Sequence, residues 1–398
     1  MTRSAGVLFF AWMIATRAVL AADHQVTVTA GDKPVEQAVL AAELPADLVG
    51  KSLDLVDAKG NSIGVQEDKL GEKPAFTFIA SNIPAGQSET FTLKEGKSSV
   101  TGGVEITKTE KGAEVKIDGK LFTIYQTNNG PKPYLWPIIG PTGALMTRSF
   151  PMEKVKGELR DHHHHRGMWF TFDKVNDNDF WSETPTSGKT IHNEFISTTS
   201  GPVFGEIVAT VTWQPKKGDK IAEDVRTYRF YRVNDARLVD FAIDMKSVNG
   251  PLKFGDSKEG LFAIRVNEQM KVEKKENPGS IVNSNGDKDG AAWGKRAEWC
   301  DYFGDVDGQK VGIAIFDNTA NFRHPTYWHV RTYGLFGANP FGLSHFTGDK
   351  NNNGAHEVKE GEKYSAKYRV YFHKGDTNAA HVADWYAAYA HPPKVTVK

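Results

Sequence analysis

The chain has 398 residues, 39% hydrophobic and 25% charged, a globular composition with room for about two or three domains. Lysine plus arginine number 49, and so do aspartate plus glutamate. With no basic surplus to neutralise phosphates, the composition argues against nucleic-acid binding.

In chain order, residues 1–21 read as an export signal. Arg3 supplies the positive start, residues 5–15 an apolar run, and Val19-Leu20-Ala21 the small residues for cleavage before Ala22. The apolar run is short for a membrane span and Arg17 interrupts it, so an uncleaved anchor is the lesser alternative. The expected location is outside the cytoplasm, periplasmic or extracellular, with no membrane attachment after cleavage. Cys300 is the single cysteine, so an internal disulfide is excluded. It lies in the aromatic run Glu298-Trp299-Cys300-Asp301-Tyr302 and reads as core rather than nucleophile.

Residues 22–100 alternate short strands with turn signals. Val26-Thr27-Val28-Thr29 and Phe76-Thr77-Phe78-Ile79 are strand-like, and Asp57 to Asn61 and Pro84 to Gly86 are turns. A small immunoglobulin-like β-sandwich is expected there. Residues 101–398 continue as strands, with a hairpin at Asp118-Gly119-Lys120 and further candidates at 206–213, 226–232, 238–245, 261–266, 311–316 and 368–373. Helical spacing is clear only near the end, where Val382, Trp385, Tyr386 and Tyr389 share a face. Asn378 is its expected cap, and Pro392-Pro393 its stop. No βαβ rhythm is visible. The fold class is therefore all-β: a small sandwich, then a large antiparallel sandwich with a short C-terminal helix.

Two blocks concentrate the chemistry. The first is Asp161-His162-His163-His164-His165-Arg166-Gly167-Met168-Trp169-Phe170, followed by Phe180-Trp181. Read as extended chain, His162 and His164 share one face and His163 and His165 the other. Two histidines at i, i+2 can chelate a transition metal if Glu183, His192, His324, His329 or His345 completes the set. The alternative is that they hydrogen-bond a sugar or stack on aromatic rings. Arg166 beside them keeps imidazoles neutral, which suits acid–base work near pH 7. The second block runs from Arg323 to Gly342 and repeats the mixture of His, Arg, Trp, Tyr and Asn. Their shared composition predicts that the two blocks meet at one site.

Lys132-Pro133-Tyr134-Leu135-Trp136-Pro137, the histidine block with Trp169, Asp179-Phe180-Trp181, Lys258-Glu259-Gly260 and the Arg323–Gly342 block resemble the signatures of a secreted bacterial family. It is commonly labelled "methane oxygenase PmoA". The resemblance spans about residues 120–375. His163 stands where that family usually has proline, so His163 is set aside as a chemical group. The label is not read as an activity, since membrane methane oxidation needs a membrane-embedded copper enzyme. The resemblance implies an exported protein of polysaccharide use with a sandwich similar to galactose mutarotases.

Together these readings give a carbohydrate or glycoside as the expected partner. His165, His329 and Glu259 are the expected acid–base groups. Expected to hold the sugar are His162, His164, Arg166, Trp169, Trp181, His324, Trp328, Arg331 and Asn339. The reaction is left open among epimerisation, elimination and hydrolysis, and a non-catalytic glycan-binding protein is the other class. No cofactor is required. The metal alternatives are a transition metal at His162 and His164, and calcium at Asp349, Asn351, Asn353 and Glu360. That second set fits a D-x-N-x-N-G-x5-E loop, but also reads as a plain turn.

Overall fold

A computed structural model describes residues 22–398; the leader expected at 1–21 lies outside the described residues. The first unit pairs a five-stranded sheet with a three-stranded one. The three-stranded sheet is Val35–Glu43, Lys73–Ile83 and Val65–Leu70. Valine, leucine and phenylalanine from alternate positions fill the space between, including Val26, Val28, Leu40, Phe76, Phe78 and Leu93. Strand period two puts these on one face, as the sequence pattern requires. The C-terminal strand Lys394–Val397 pairs antiparallel with His24–Thr29. The chain thus returns to the first sandwich at its end, and these residues leave the large unit to which the sequence reading gave them.

The second unit packs two eight-stranded antiparallel sheets face to face. One runs in the order Tyr327–Val330, Leu335–Asn339, Gly260–Arg265, Met168–Phe172, Tyr134–Ile138, Lys120–Gln126, Gly112–Ile117, Val104–Thr109. The other carries Phe204–Gln214, Ala222–Tyr231, Arg237–Ser247 and Lys363–Lys374 at its centre. Aromatic rings join them: Phe170 lies 5.7 Å from Phe241, Phe241 4.8 Å from Phe262, and Phe262 4.9 Å from Tyr368. Cys300 is fully buried in this core, as expected. The all-β class and the C-terminal helix hold. The helix spans Val382–Ala390 and buries Val382, Trp385 and Tyr386. Its cap is His381, not Asn378; the Asn378 carbonyl instead accepts from the His381 N–H at 3.0 Å. Among the described residues no helix is long and apolar enough to cross a membrane.

Phe204–Gln214 and Arg237–Ser247 of the second sheet alternate buried with half-buried residues, the pattern of a sheet with one wet face. Met168–Phe172, Gly260–Arg265 and Leu335–Asn339 do not: every residue in them is buried. Their outer face must therefore be covered, and the histidine block is part of the cover.

Candidate functional site

The histidine block is a turn, not a strand. His162 has φ 43°, and the His165 N–H donates to the His162 carbonyl at 3.0 Å. This overturns the alternation of faces expected above. The turn brings His162 and His165 into parallel contact, rings 4.8 Å apart and planes 12° apart. At the end of the block Gly167 has φ 52°, and a Cβ there would sit 2.1 Å from the Leu135 carbonyl oxygen. Only glycine lets the chain drop from the turn into the Met168 strand.

A column of rings follows. Tyr333 stacks on His162 at 5.1 Å, His162 on His165, His165 on Trp169 at 5.4 Å, and Trp169 meets Trp181 at 5.2 Å. Tyr333 belongs to the downstream block, so the two blocks meet in space. Strand register explains part of the layout. Trp169 pairs with Ala263, Ala263 with Gly337, and Gly337 with His329. These four lie in one row on the outer face. Ala263 and Gly337 are small, which leaves space for Trp169, Trp181 and Tyr333 to pack above them.

Buried charge fixes the turn from below. The Arg148 guanidinium donates to the Asp161 carboxylate and to the Asp161 and His162 carbonyls at 3.0 Å. Arg265 donates to the same carboxylate at 3.2 Å and to His165 Nδ1 at 3.1 Å. Both arginines are fully buried. Burial pushes the Asp161 carboxyl up, but Arg265 and hydrogen bonds from His162 and Arg148 outweigh it and hold it down at about 2. On the other side Glu183 takes Arg166 in a fork at 2.9 Å and Lys132 at 3.1 Å. Burial lowers Lys132 to about 8 against the pull of Glu183.

These partners revise several expected roles. Arg166 is committed to Glu183 and is not free to orient a sugar. His165 is buried inside the ring column with Nδ1 held by Arg265, and burial depresses its basicity strongly. That is the place of a positioning group, not of an acid. Trp328 faces the inner core and donates to the Ala297 carbonyl at 2.9 Å. His324 is held by Asp317 of the opposite sheet at 2.7 Å, away from the ring column. Asn339 spends its amide on the Ser257 and Lys258 carbonyls, 2.9 and 3.0 Å, and on the Phe341 N–H. It thereby fixes the segment that presents Glu259. Trp169 and Trp181 do sit in the column, although both are buried.

The reachable part is formed by His162, His164, Glu259, Arg331 and Tyr333, none fully buried, with His329 beneath. Burial pushes Glu259 up, yet the nearby His329, Lys258 and His164 hold it below the usual carboxylate range. Burial lowers His329 to about 4 and His164 to about 3. His329 Nδ1 is buried without a partner among the described residues. The reading of the sequence missed Asp173. It continues the outer face beyond Trp169 and Thr171, and its N–H donates to the Glu259 carbonyl at 3.1 Å, which sets the two side by side. Burial, with Glu259 adding, raises Asp173 to about 6 against a 2.7 Å bond from Ser257. An aspartate directly after an apolar strand was the only available signal. Arg265 was missed as well; a charged residue ending the run Leu261-Phe262-Ala263-Ile264 was its trace.

His162 and His164 lie edge to face at 5.8 Å, and His162 Nδ1 is taken by Asp161 at 2.7 Å. Among the described residues no group of three or more His, Cys, Asp or Glu is placed to hold a metal ion. In the 349–354 loop the Asp349 carboxylate accepts from the Asn351 N–H at 2.9 Å and the Asn353 side chain from the Ala355 N–H at 2.8 Å, as turn residues do. A separate cleft of about 350 Å³ lies where the two sandwiches meet, lined by Gln37, Asn82, Asn234, Tyr371 and Trp385 among others. None of the site residues expected from the sequence lines it.

The sequence pattern of a family of unknown function (DUF6807) matches residues 112–387, which hold both blocks and every group of the site. The chain belongs to the DUF6807 family. No curated protein matches the sequence. Among solved structures, a protein in the glycosyl hydrolase family 38 from Enterococcus faecalis is similar with 10% identity and a TM-score of 0.40. The match covers 94% of this chain and 47% of that one, so this DUF6807 chain spans about half of that protein's length.

Proposed function

We propose that this protein is a carbohydrate-active enzyme that binds a sugar or glycoside over the Tyr333–His162 end of the ring column. Glu259 then acts as base. The observation that carries the reading is the placing of Glu259 beside Asp173, on the outer face that also carries His329 and the ring column, in a chain whose strands would otherwise simply close a sandwich. Asp173 and Glu259 stand side by side with opposite tendencies, one raised and one lowered. Environments that push two carboxyls apart divide the labour of acid and base between them. Asp173 supplies the proton and the ionised Glu259 receives one. Neutral His329 orients a hydroxyl through Nδ1, the ring nitrogen that has no partner among the described residues. Tyr333, its faces taken by His162 and Arg331, offers its ring edge and hydroxyl to a sugar.

The resemblance of the signature blocks to those of a secreted family of polysaccharide use and the leader-like first 21 residues support an exported enzyme of glycan use. If the aromatic face binds but no bond is made or broken, the protein is a glycan-binding module. A turnover screen of glycosides and oxidised sugars tests this, with Glu259→Gln and His329→Ala as controls. Turnover lost in both variants at unchanged folding supports the enzyme. Binding without turnover in the parent leaves the module, and no binding at all removes both.

A further inference from the structure

We propose that the site selects a sugar carrying a carboxylate, and that Arg331 receives it. This rests on the reading of the outer face as a sugar site. The other cations near the turn are engaged. Arg148 and Arg265 share Asp161, Lys132 and Arg166 share Glu183, and Lys258 pairs with Glu259. Arg331 has no such partner among the described residues. Its guanidinium lies over two rings, 5.6 Å from Trp293 and 5.6 Å from Tyr333, and it is only half-buried. The rings hold its plane while its N–H groups stay available.

A second observation concerns buried atoms. Trp293 Nε1 beside it, and Nε of the fully buried Arg265 over Tyr333 at 4.9 Å, have no hydrogen-bond partner among the described residues. Indole and guanidinium nitrogens donate and never accept. The partner missing from this corner is therefore an acceptor. A carboxylate offers two acceptor oxygens in the plane that a guanidinium fork matches. Carried on a sugar at the edge of Tyr333, whose faces His162 and Arg331 cover, it leaves the sugar on the outer face that also bears Glu259 beside Asp173. A sulfate ester shares the charge but not the planar fork.

The test is titration of the full mature chain with three oligosaccharides: a uronate, its methyl ester, and a sulfate ester of the corresponding neutral sugar. Arg331→Gln and Arg331→Lys are compared with the parent after circular dichroism and Tm confirm their fold. The uronate is expected to bind about tenfold or more tighter than its ester, as one charged hydrogen-bonded contact gives. Arg331→Gln should erase that difference and Arg331→Lys should keep part of it. Equal binding of acid and ester overturns the proposal while the sugar face stands. A preference for the acid that survives Arg331→Gln, or a preference for the sulfated analogue, also overturns it. If no saccharide binds the parent, both the proposal and the sugar-site reading fall.

Discussion

His162 and Tyr333 stack with ring centroids 5.1 Å apart and planes 10° apart, although they lie in two blocks far apart in sequence. The contact joins the histidine turn to the downstream loop. An aromatic pair of this geometry couples by about 0.5–1.5 kcal/mol beyond simple burial. A double-mutant cycle with His162→Ala and Tyr333→Ala, read by denaturant unfolding, should return a coupling in that range. Strict additivity would show that the two blocks touch without supporting each other.

Asp161 is the shared counter-ion of two fully buried arginines. Asp161→Ala leaves both without a carboxylate. Breaking a buried pair costs about 3–5 kcal/mol, and because Asp161 is a third exposed the expected loss is about 2–3 kcal/mol. Urea midpoints of parent and variant measure it, and a loss under 1 kcal/mol would contradict the arrangement.

Acid should destabilise the fold early. His329 is held by burial at about 4, below the value of about 6.5 in an unfolded chain. Between those values the unfolded chain binds a proton that the folded chain refuses. Stability therefore rises with pH across the window and falls as pH drops from about 6.5 toward 4, by up to about 1.4 kcal/mol per unit for this group. His164, held at about 3, acts in the same direction. Asp161 has the carboxylate form of the effect: its contribution is present above about 4 and is lost as pH falls through about 2. Unfolding curves at pH 7, 5.5 and 4.5 should show the slope, reduced by the opposite contribution of the raised Asp173, and His329→Gln should lower it while the His164 part remains. An identical slope in parent and His329→Gln would refute the buried neutral imidazole.

Asn339→Ala tests positioning against packing. It removes three buried hydrogen bonds, two of which hold the carbonyls just before Glu259. A cost of about 1–3 kcal/mol is expected for each backbone group left without a partner and without water. Turnover should drop further than the folded fraction does, with kcat falling more than KM rises. Trp328→Ala is the contrast. Its ring is core, so it should cost about 3–5 kcal/mol while activity per folded molecule stays unchanged.

The sequence by itself determined the all-β class, because period-two alternation and turn residues report local geometry directly. The strand runs near Val26, Phe76, Leu238 and Val311 all form, as does the Val382 helix. It also offered His329 and Arg331 as candidates, since charged and aromatic residues crowded into a strand-rich chain stand out against it, and Glu259 through the resemblance of Lys258-Glu259-Gly260 to a family signature. What only the tertiary structure decided is which of the crowded residues face the site. Trp328 and His329 are neighbours in sequence, yet one fills the core and the other the outer face, and that parity depends on pairing with Leu335–Asn339. The histidine run was read as extended because nothing local signals the left-handed φ of His162. That conformation is held by Arg148 and Asp161, and Asp161 also holds Arg265. The return of Lys394–Val397 to the first strand was likewise invisible, since strand pairing over such a distance leaves no local trace. Local periodicity fixes elements; the buried charges and long-range register that turn them into a site are set only when the chain closes on itself.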